Sequence, residues 1–296
     1  MKKRLSGILS LLIATVIWGS AFVAQSAGMD FIGPYTFQAI RSFLATVSLA
    51  VVILLAEHKN LKEHTSKWKS KKLWLSGGAC GLALFVAAGM QQVGLVYTDA
   101  GKAGFITAMY IVIVPLLGLF LRRKPGIMAI LGVVSAVAGL YFLSCFGVTK
   151  VNIGDIYLMI GAVAFAVQII LVDRLGGDMD SLRLNTVQCL VCAVLSSVVM
   201  LFTEQPQLHY ILPCWFPLVY CGVVSMGFAY SLQIIGQKHL DPTPASMIMS
   251  LESVFAVLFA SVILKESMTI WETVGSILVF AGVILSQLPA KSKAPS

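Results

Sequence analysis

The sequence predicts an all-α polytopic membrane protein whose ten transmembrane helices form two inverted five-helix repeats, and three observations predict it. Hydrophobic residues fill 58% of the 296 positions and charged residues only 11%, where soluble domains carry about 25% charge. Ten apolar segments are long enough to cross a bilayer core of ~30 Å at ~1.5 Å per residue. The second five segments repeat the plan of the first. Five is odd, so the second unit enters the membrane from the opposite side.

The segments run approximately 5–27, 34–56, 73–96, 100–121, 126–146, 153–172, 184–203, 213–235, 243–264 and 270–288. Numbering the loops alternately puts 17 basic residues on one side, including Lys2, Lys3, Arg4, the Lys59–Lys72 run, Arg122, Arg123 and Lys124. The other side receives Lys102, Lys150 and Lys265, and Arg41 lies inside a span. This split places both termini in the cytoplasm of a multi-pass plasma-membrane protein. The net charge of +8 is therefore a topology signal facing anionic lipid, with no nucleic-acid partner. The first span follows Met1-Lys2-Lys3-Arg4, but its apolar run exceeds a signal-peptide core and has no small-x-small cleavage site, so it is read as retained. The six cysteines form no paired framework. Cys189 and Cys192 make a CxxC inside an apolar helix without further ligands, which reads as a helix contact.

In chain order, span one places Trp18, Phe22 and Gln25 on one face and ends near Gln25. Gly33-Pro34 turns into span two, where Gln38 and Arg41 lie three apart. Span three ends Gln91-Gln92-Val93-Gly94, and Thr98-Asp99 leads into span four, which carries Lys102, Thr107, Tyr110 and Pro115. Span five has Gly132 and Gly139 seven apart. A shift of 142 then aligns Gln91 with Gln233, Gly94 with Gly236, Asp99 with Asp241 and Tyr110 with Glu252. After one inserted residue, Gly132 and Gly139 meet Gly275 and Gly282. Nearer the front a shift of 147 sets Trp18 on Phe165 and Arg41 on Gln188. The expected units are residues 1–147, 148–288 and a short tail, 289–296. Inverted halves usually mean transport, because exchanging their conformations exchanges access.

Span nine opens with Asp241, a capping type, and prolines suited to a first helical turn. Glu252 lies nine residues past Thr243, roughly 13 Å deep and near the midplane. A charge there costs at least ~2.5–3.5 kcal/mol on insertion scales, so it needs a partner, water or a proton. Its functional reading is a coupling proton or a cationic cargo group; its plain reading is helix packing. Arg41, ~10 Å in from the outer surface, is a pathway candidate that either binds a carboxylate or, the better reading, anchors neighbouring backbone or Glu252. Lys102 at the helix mouth is placed to snorkel. Gln91, Gln168 and Gln233 either contact substrate or join helices, and Gln91 and Gln233 are expected at opposite mouths. Trp18, Phe22 and Tyr110 line a cavity or pack, and Thr107 shares the polar face of span four.

Ile17-Trp18-Gly19-Ser20, Ala39-Ile40-Arg41-Ser42-Phe43, Asp99-Ala100-Gly101-Lys102-Ala103-Gly104-Phe105-Ile106-Thr107 and Ser250-Leu251-Glu252-Ser253-Val254-Phe255-Ala256 together resemble the EamA-type branch of the drug/metabolite transporter superfamily. The resemblance covers nearly the whole chain. It implies ten spans, cytoplasmic termini, a central cavity between two repeats, and export of amino acids or other small metabolites, with uptake or exchange as the alternative. Two positions depart from the family pattern: Ser253 stands where a proline is common and Phe165 where a Trp is expected. An enzyme is not expected, since the four histidines lie in or near loops and show no paired-ligand spacing; no cofactor or metal motif is present. A receptor or scaffold is disfavoured by the short loops. The expected partners are a small-molecule substrate, protons and the lipid bilayer; the oligomeric state is open.

Overall fold

The computed structural model describes residues 2–57, 67–122, 125–144, 152–264 and 269–288, and every regular element among them is helical. Spans one to three are Lys2–Gly28, Pro34–Glu57 and Lys71–Gly94. Span four, Ala100–Phe120, is interrupted at Met109. Spans five to seven are Ile127–Ser144, Ile153–Leu175 and Ser181–Thr203. Span eight covers Leu208–Gln237, span nine runs from Pro242 with an interruption at Ser250, and span ten is Ile270–Gln287. Nine of the ten are long and apolar enough to cross a membrane, and span five is a shorter apolar helix. Lys59, Lys62, Arg123, Lys124, Lys150, Lys265, Lys291, Lys293, His58, His64, Cys145 and the tail lie outside the described residues.

Two boundaries differ from expectation. Span one continues to Gly28, three residues past Gln25. Span eight starts at Leu208 because Pro213 falls in a 3-10 turn, Leu212–Cys214, that continues a short helix. Farther on, Tyr220–Ala229 is π-helical. Such segments are frequent at functional sites, and here Asn185 of span seven bonds two carbonyls of this one. Its Nδ2 reaches Met226 O at 3.0 Å and Gly227 O at 2.8 Å.

Helix ends are capped by local sequence. Ser70 accepts from Leu73 N, and Asn152/Asp155 and Thr269/Glu272 form capping boxes on spans six and ten. The outward faces carry exposed Leu54, Leu55, Phe120, Leu201, Phe202 and Ile284, as a lipid-facing surface requires.

The interior seams are built on glycine. Spans five and ten pack most extensively: a Cβ on Gly132 would come within 2.6 Å of Gly282 O, and one on Gly139 within 2.6 Å of Gly275 O. The seven-residue glycine spacings therefore bring these two spans of one chain together. Other seams come in matched pairs. Gly94 packs on Leu158 and Gly154 of span six, as Gly236 packs on Leu11 and Gly7 of span one. Gly81 packs on Gln188 and Val191 of span seven, as Gly222 packs on Arg41 and Leu44 of span two. The first pair is exchanged by the shifts of 142 and 147 read from the sequence; in the second, Gly81 and Gly222 lie 141 apart, one residue off that register at the start of the π-helical stretch.

Spans two and seven are also clamped at both ends. Glu204, closing span seven, accepts from Tyr35 N (2.8 Å), Thr36 N (2.8 Å) and Thr36 Oγ1 (2.6 Å) at the start of span two. Glu57, closing span two, takes Arg183 Nη2 at the start of span seven.

Candidate functional site

Spans one, two, three, four, six, eight and nine surround a narrow central cavity of ≈ 30 Å³; spans five and ten do not reach it. Of the residues singled out from the sequence, Trp18, Phe22, Arg41, Gln91, Tyr110, Gln168, Gln233 and Glu252 border it. Thr107 does not. It stands behind the wall, where its hydroxyl accepts from Gln91 Nε2 at 3.2 Å.

At the centre, Tyr110 Oη donates to Glu252 Oε1 at 2.9 Å, and both residues are buried. These are the two positions that a shift of 142 superposes. Each is delivered by a helix interruption. Span four breaks at Met109, where Met109 N and Val112 N bond three residues back to Ile106 O and Met109 O. Span nine breaks at Ser250, with Ser253 N on Ser250 O at 3.2 Å. Hydroxyls satisfy the disturbed carbonyls there: Ser250 Oγ donates to Met247 O and Ser253 Oγ to Ser250 O, both at 2.8 Å. Serine at 253 thus keeps the interruption while retaining the N–H that a proline lacks.

Arg41 does not reach Glu252 in the bonding pattern. Its Nε donates to Gln38 Oε1 at 2.8 Å, its Nη1 and Nη2 to Gln25 and Gln38, and its guanidinium lies 5.4 Å from the Phe37 ring centroid. The expected anchor to backbone or to Glu252 is replaced by two side-chain amides on spans one and two. The reason is reach: Gln38 is one turn away on the same helix face, and the planar fork of donors is already taken there. Lys102 is a second correction. It does not snorkel but pairs with Asp155 Oδ2 at 2.7 Å, and both side chains are largely buried. Gln91 and Gln233, expected at opposite mouths, each lie within about one turn of a helix end and border one cavity.

Two features escaped sequence reading. Tyr230 borders the cavity and packs against Trp18, with ring centroids 5.0 Å apart. Its position one turn before Gln233 was the available signal. The other is a chain of amides, Gln233–Gln168–Gln188–Asn185, that crosses spans eight, six and seven. Single side-chain amides in apolar segments show in a sequence; their connection does not.

The two ends of the cavity differ. At the end carrying Asp99, the Lys102–Asp155 pair joins Thr98 Oγ1–Asn152 Oδ1 (3.1 Å) and Asn152 Nδ2–Tyr97 O (2.9 Å) to tie span four to span six. At the end carrying Asp241, the matching positions are Pro244 and Ile8, and a separate pocket of ≈ 720 Å³ is bordered there by Arg4, His239, Asp241 and Pro244. No cluster of potential metal ligands occurs among the described residues.

Comparison with known proteins adds the family context. A family model described as "EamA-like transporter family" matches residues 5–145 and again 152–288. An uncharacterized transporter of Archaeoglobus fulgidus is 29% identical over 297 residues, covering 97% of this chain and 87% of the relative. The uncharacterized transporter YoaV of Bacillus subtilis is 25% identical, covering 97% of each. A crystal structure with 17% sequence identity superposes with a TM-score of 0.79 over 97% of this chain and 98% of that one, a likeness of fold.

Proposed function

Because the chain belongs to the EamA-like transporter family, we propose that it is a secondary transporter exporting a small metabolite, an amino acid or related compound, by alternating access. The chain is a multi-pass membrane transporter; direction, cargo class and gating are the proposed part. The observation that carries the reading is the Tyr110–Glu252 bond, which joins matched positions of the two halves inside a cavity that both halves line. We read residues 1–147 and 148–288 as inverted repeats, supported by the paired glycine seams and by the clamps at both ends of spans two and seven. Rocking one repeat against the other would open the Asp99 end as the Asp241 end closes.

In this scheme Glu252 binds either a coupling proton or an amine on the cargo. Tyr110 holds one carboxylate oxygen and leaves the other for that partner. The aromatic wall of Trp18, Phe22, Phe165 and Tyr230 receives the apolar part of the cargo. The test is efflux of a labelled amino-acid panel from loaded cells and from proteoliposomes, with and without the protein. Faster efflux of at least one compound is expected; movement of none would return the chain to a scaffold role, and strict one-for-one counterflow would make it an exchanger. Orientation has its own test, in a background without reactive native cysteines. With cytoplasmic termini in the plasma membrane, an impermeant maleimide outside labels Gln207→Cys and spares His64→Cys. The reverse pattern would invert the topology.

A further inference from the structure

The amide chain behind the cavity has a direction, and that direction fixes what the cavity offers to a ligand. At its far end Asn185 Nδ2 donates to Met226 O and Gly227 O, which are backbone carbonyls and only accept. Asn185 therefore turns Oδ1 to Gln188 Nε2 (2.7 Å), Gln188 turns Oε1 to Gln168 Nε2 (3.3 Å), and Gln168 turns Oε1 to Gln233 Nε2 (3.0 Å). A second constraint arrives from the same helix. Gln237 Nε2 donates to Ile169 O at 2.9 Å, so Gln237 Oε1 must accept from Gln233 Nε2, also at 2.9 Å. Both hydrogens of Gln233 Nε2 are consumed, and flipping any one amide would set donor against donor or acceptor against acceptor. The bonding network fixes the Gln233 orientation.

What remains is Gln233 Oε1, buried, bordering the cavity and without a partner. Trp18 Nε1, a donor only, is likewise buried, unpartnered and on the same cavity. The two flank Tyr230, which packs on Trp18 and precedes Gln233 by one turn. An unpaired buried acceptor and an unpaired buried donor on one cavity are unfavourable until a ligand supplies their partners.

We propose that Gln233 Oε1 and Trp18 Nε1 form a two-point recognition edge for cargo that presents an N–H donor beside a hydrogen-bond acceptor, as the edge of an amide does. This rests on the central cavity being the cargo site and on its widening from ≈ 30 Å³ as the two halves rock. Gln168, Gln188, Asn185 and Gln237 are positioning residues that keep the Gln233 oxygen toward the ligand. Their arrangement selects for a donor on the cargo and against a cargo whose equivalent group only accepts.

The experiment uses the purified full chain in detergent and two probes, benzamide and N,N-dimethylbenzamide, with binding read as the ligand-dependent rise in unfolding midpoint. Both probes carry a carbonyl acceptor for Trp18; only benzamide carries N–H for Gln233. Wild type is expected to bind benzamide about fivefold more tightly, the worth of one hydrogen bond. Gln233→Met should collapse that preference to within about twofold, while Trp18→Phe should weaken both probes together and keep their ratio. A ratio unchanged by Gln233→Met would overturn the proposal and assign the two orphan groups to a bridging water, leaving the cavity as a cargo site. Failure of both probes to stabilise wild type would remove the amide-bearing class altogether. If Gln233→Met does not fold, Gln168→Met serves in its place. It frees Gln233 to rotate, and it should likewise erase the preference.

Discussion

The seams between the two halves and the centre between them follow different rules. At the seams, Gly94 on Leu158 answers Gly236 on Leu11, and Gly81 on Val191 answers Gly222 on Leu44. At the centre, Tyr110 faces Glu252, and Arg41 has Gln188 as its counterpart. Even the hydrogen-bond design is shared there, since Arg41 Nε donates to Gln38 three residues back and Gln188 Nε2 to Asn185 three residues back. The shape is duplicated and the charge is not. Close backbone approach tolerates only a missing Cβ, so the seams hold both halves to one geometry. A cavity wall has no such restriction, and chemistry can diverge without disturbing the fold.

The largest expected effect tests whether the duplicated geometry moves as two bodies. Thr98→Cys with Asn152→Cys, replacing groups now 3.1 Å apart across the halves, is to be bridged by a disulfide or a short bifunctional reagent in a background free of native cysteines. Transport should fall to near zero and return on reduction. Full transport after complete bridging would mean that this end never opens.

Next in size is the unlike centre itself. Glu252→Gln keeps the size and the bond from Tyr110 but removes ionisation. If the carboxylate carries a proton, accumulation driven by a pH gradient should drop more than about tenfold, the cost of losing a charge-dependent step, with exchange retained. If it holds an amine, affinity should fall for cationic and zwitterionic cargo and little for neutral cargo. Wild-type transport with unchanged pH dependence would make the centre a packing feature like the seams.

The like seams give a smaller effect. Gly139→Ala puts a Cβ 2.6 Å from Gly275 O, and overpacking of this kind costs about 1–3 kcal/mol. Gly78 has nothing within 4 Å of an added Cβ, so Gly78→Ala should be neutral or stabilising by about 0.5–1 kcal/mol. Unfolding midpoints in detergent measure both. Equal responses would mean that the span five–ten seam is looser than its geometry.

Much of this was legible beforehand because membrane helices impose simple rules. Ten spans, the seven-residue glycine spacing, the matching of Tyr110 with Glu252 and most cavity residues follow from apolar length and from a repeat that survives in the sequence. The partners of Arg41 and Lys102 were not legible. A guanidinium or ammonium group has several groups within reach, and which it meets depends on helix rotation and tilt, which composition does not set. Tyr230 was lost for a related reason, as the π-helical Tyr220–Ala229 shifts the face that follows it. The orientation of the Gln233 amide needed the whole chain of bonds.

The smallest effect concerns the ends of the cavity. Lys102 and Asp155 pair at 2.7 Å with side chains only 15% and 11% exposed, whereas Lys72 and Asp178 at the opposite end lie 3.7 Å apart and are 65% and 92% exposed. Exposed pairs contribute little, typically under about 1 kcal/mol. If the two halves move as proposed, a sheltered pair spanning them biases the conformation that makes it. Lys102→Met removes that charge pair and leaves Asp155 in its capping box, still bonded to Asn152 N at 2.9 Å, so the fold of span six is not at stake. An impermeant maleimide approaching from the Asp99 end should then reach a cysteine at the cavity-lining position Ala88 about three- to fivefold faster, the ratio corresponding to roughly 1 kcal/mol of lost coupling. Lys72→Met should leave the rate within about twofold of the parent. Equal acceleration by the two substitutions would trace the effect to the overall field of basic charge, and no acceleration by Lys102→Met would leave Thr98, Asn152 and Tyr97 as the contacts that hold this end shut.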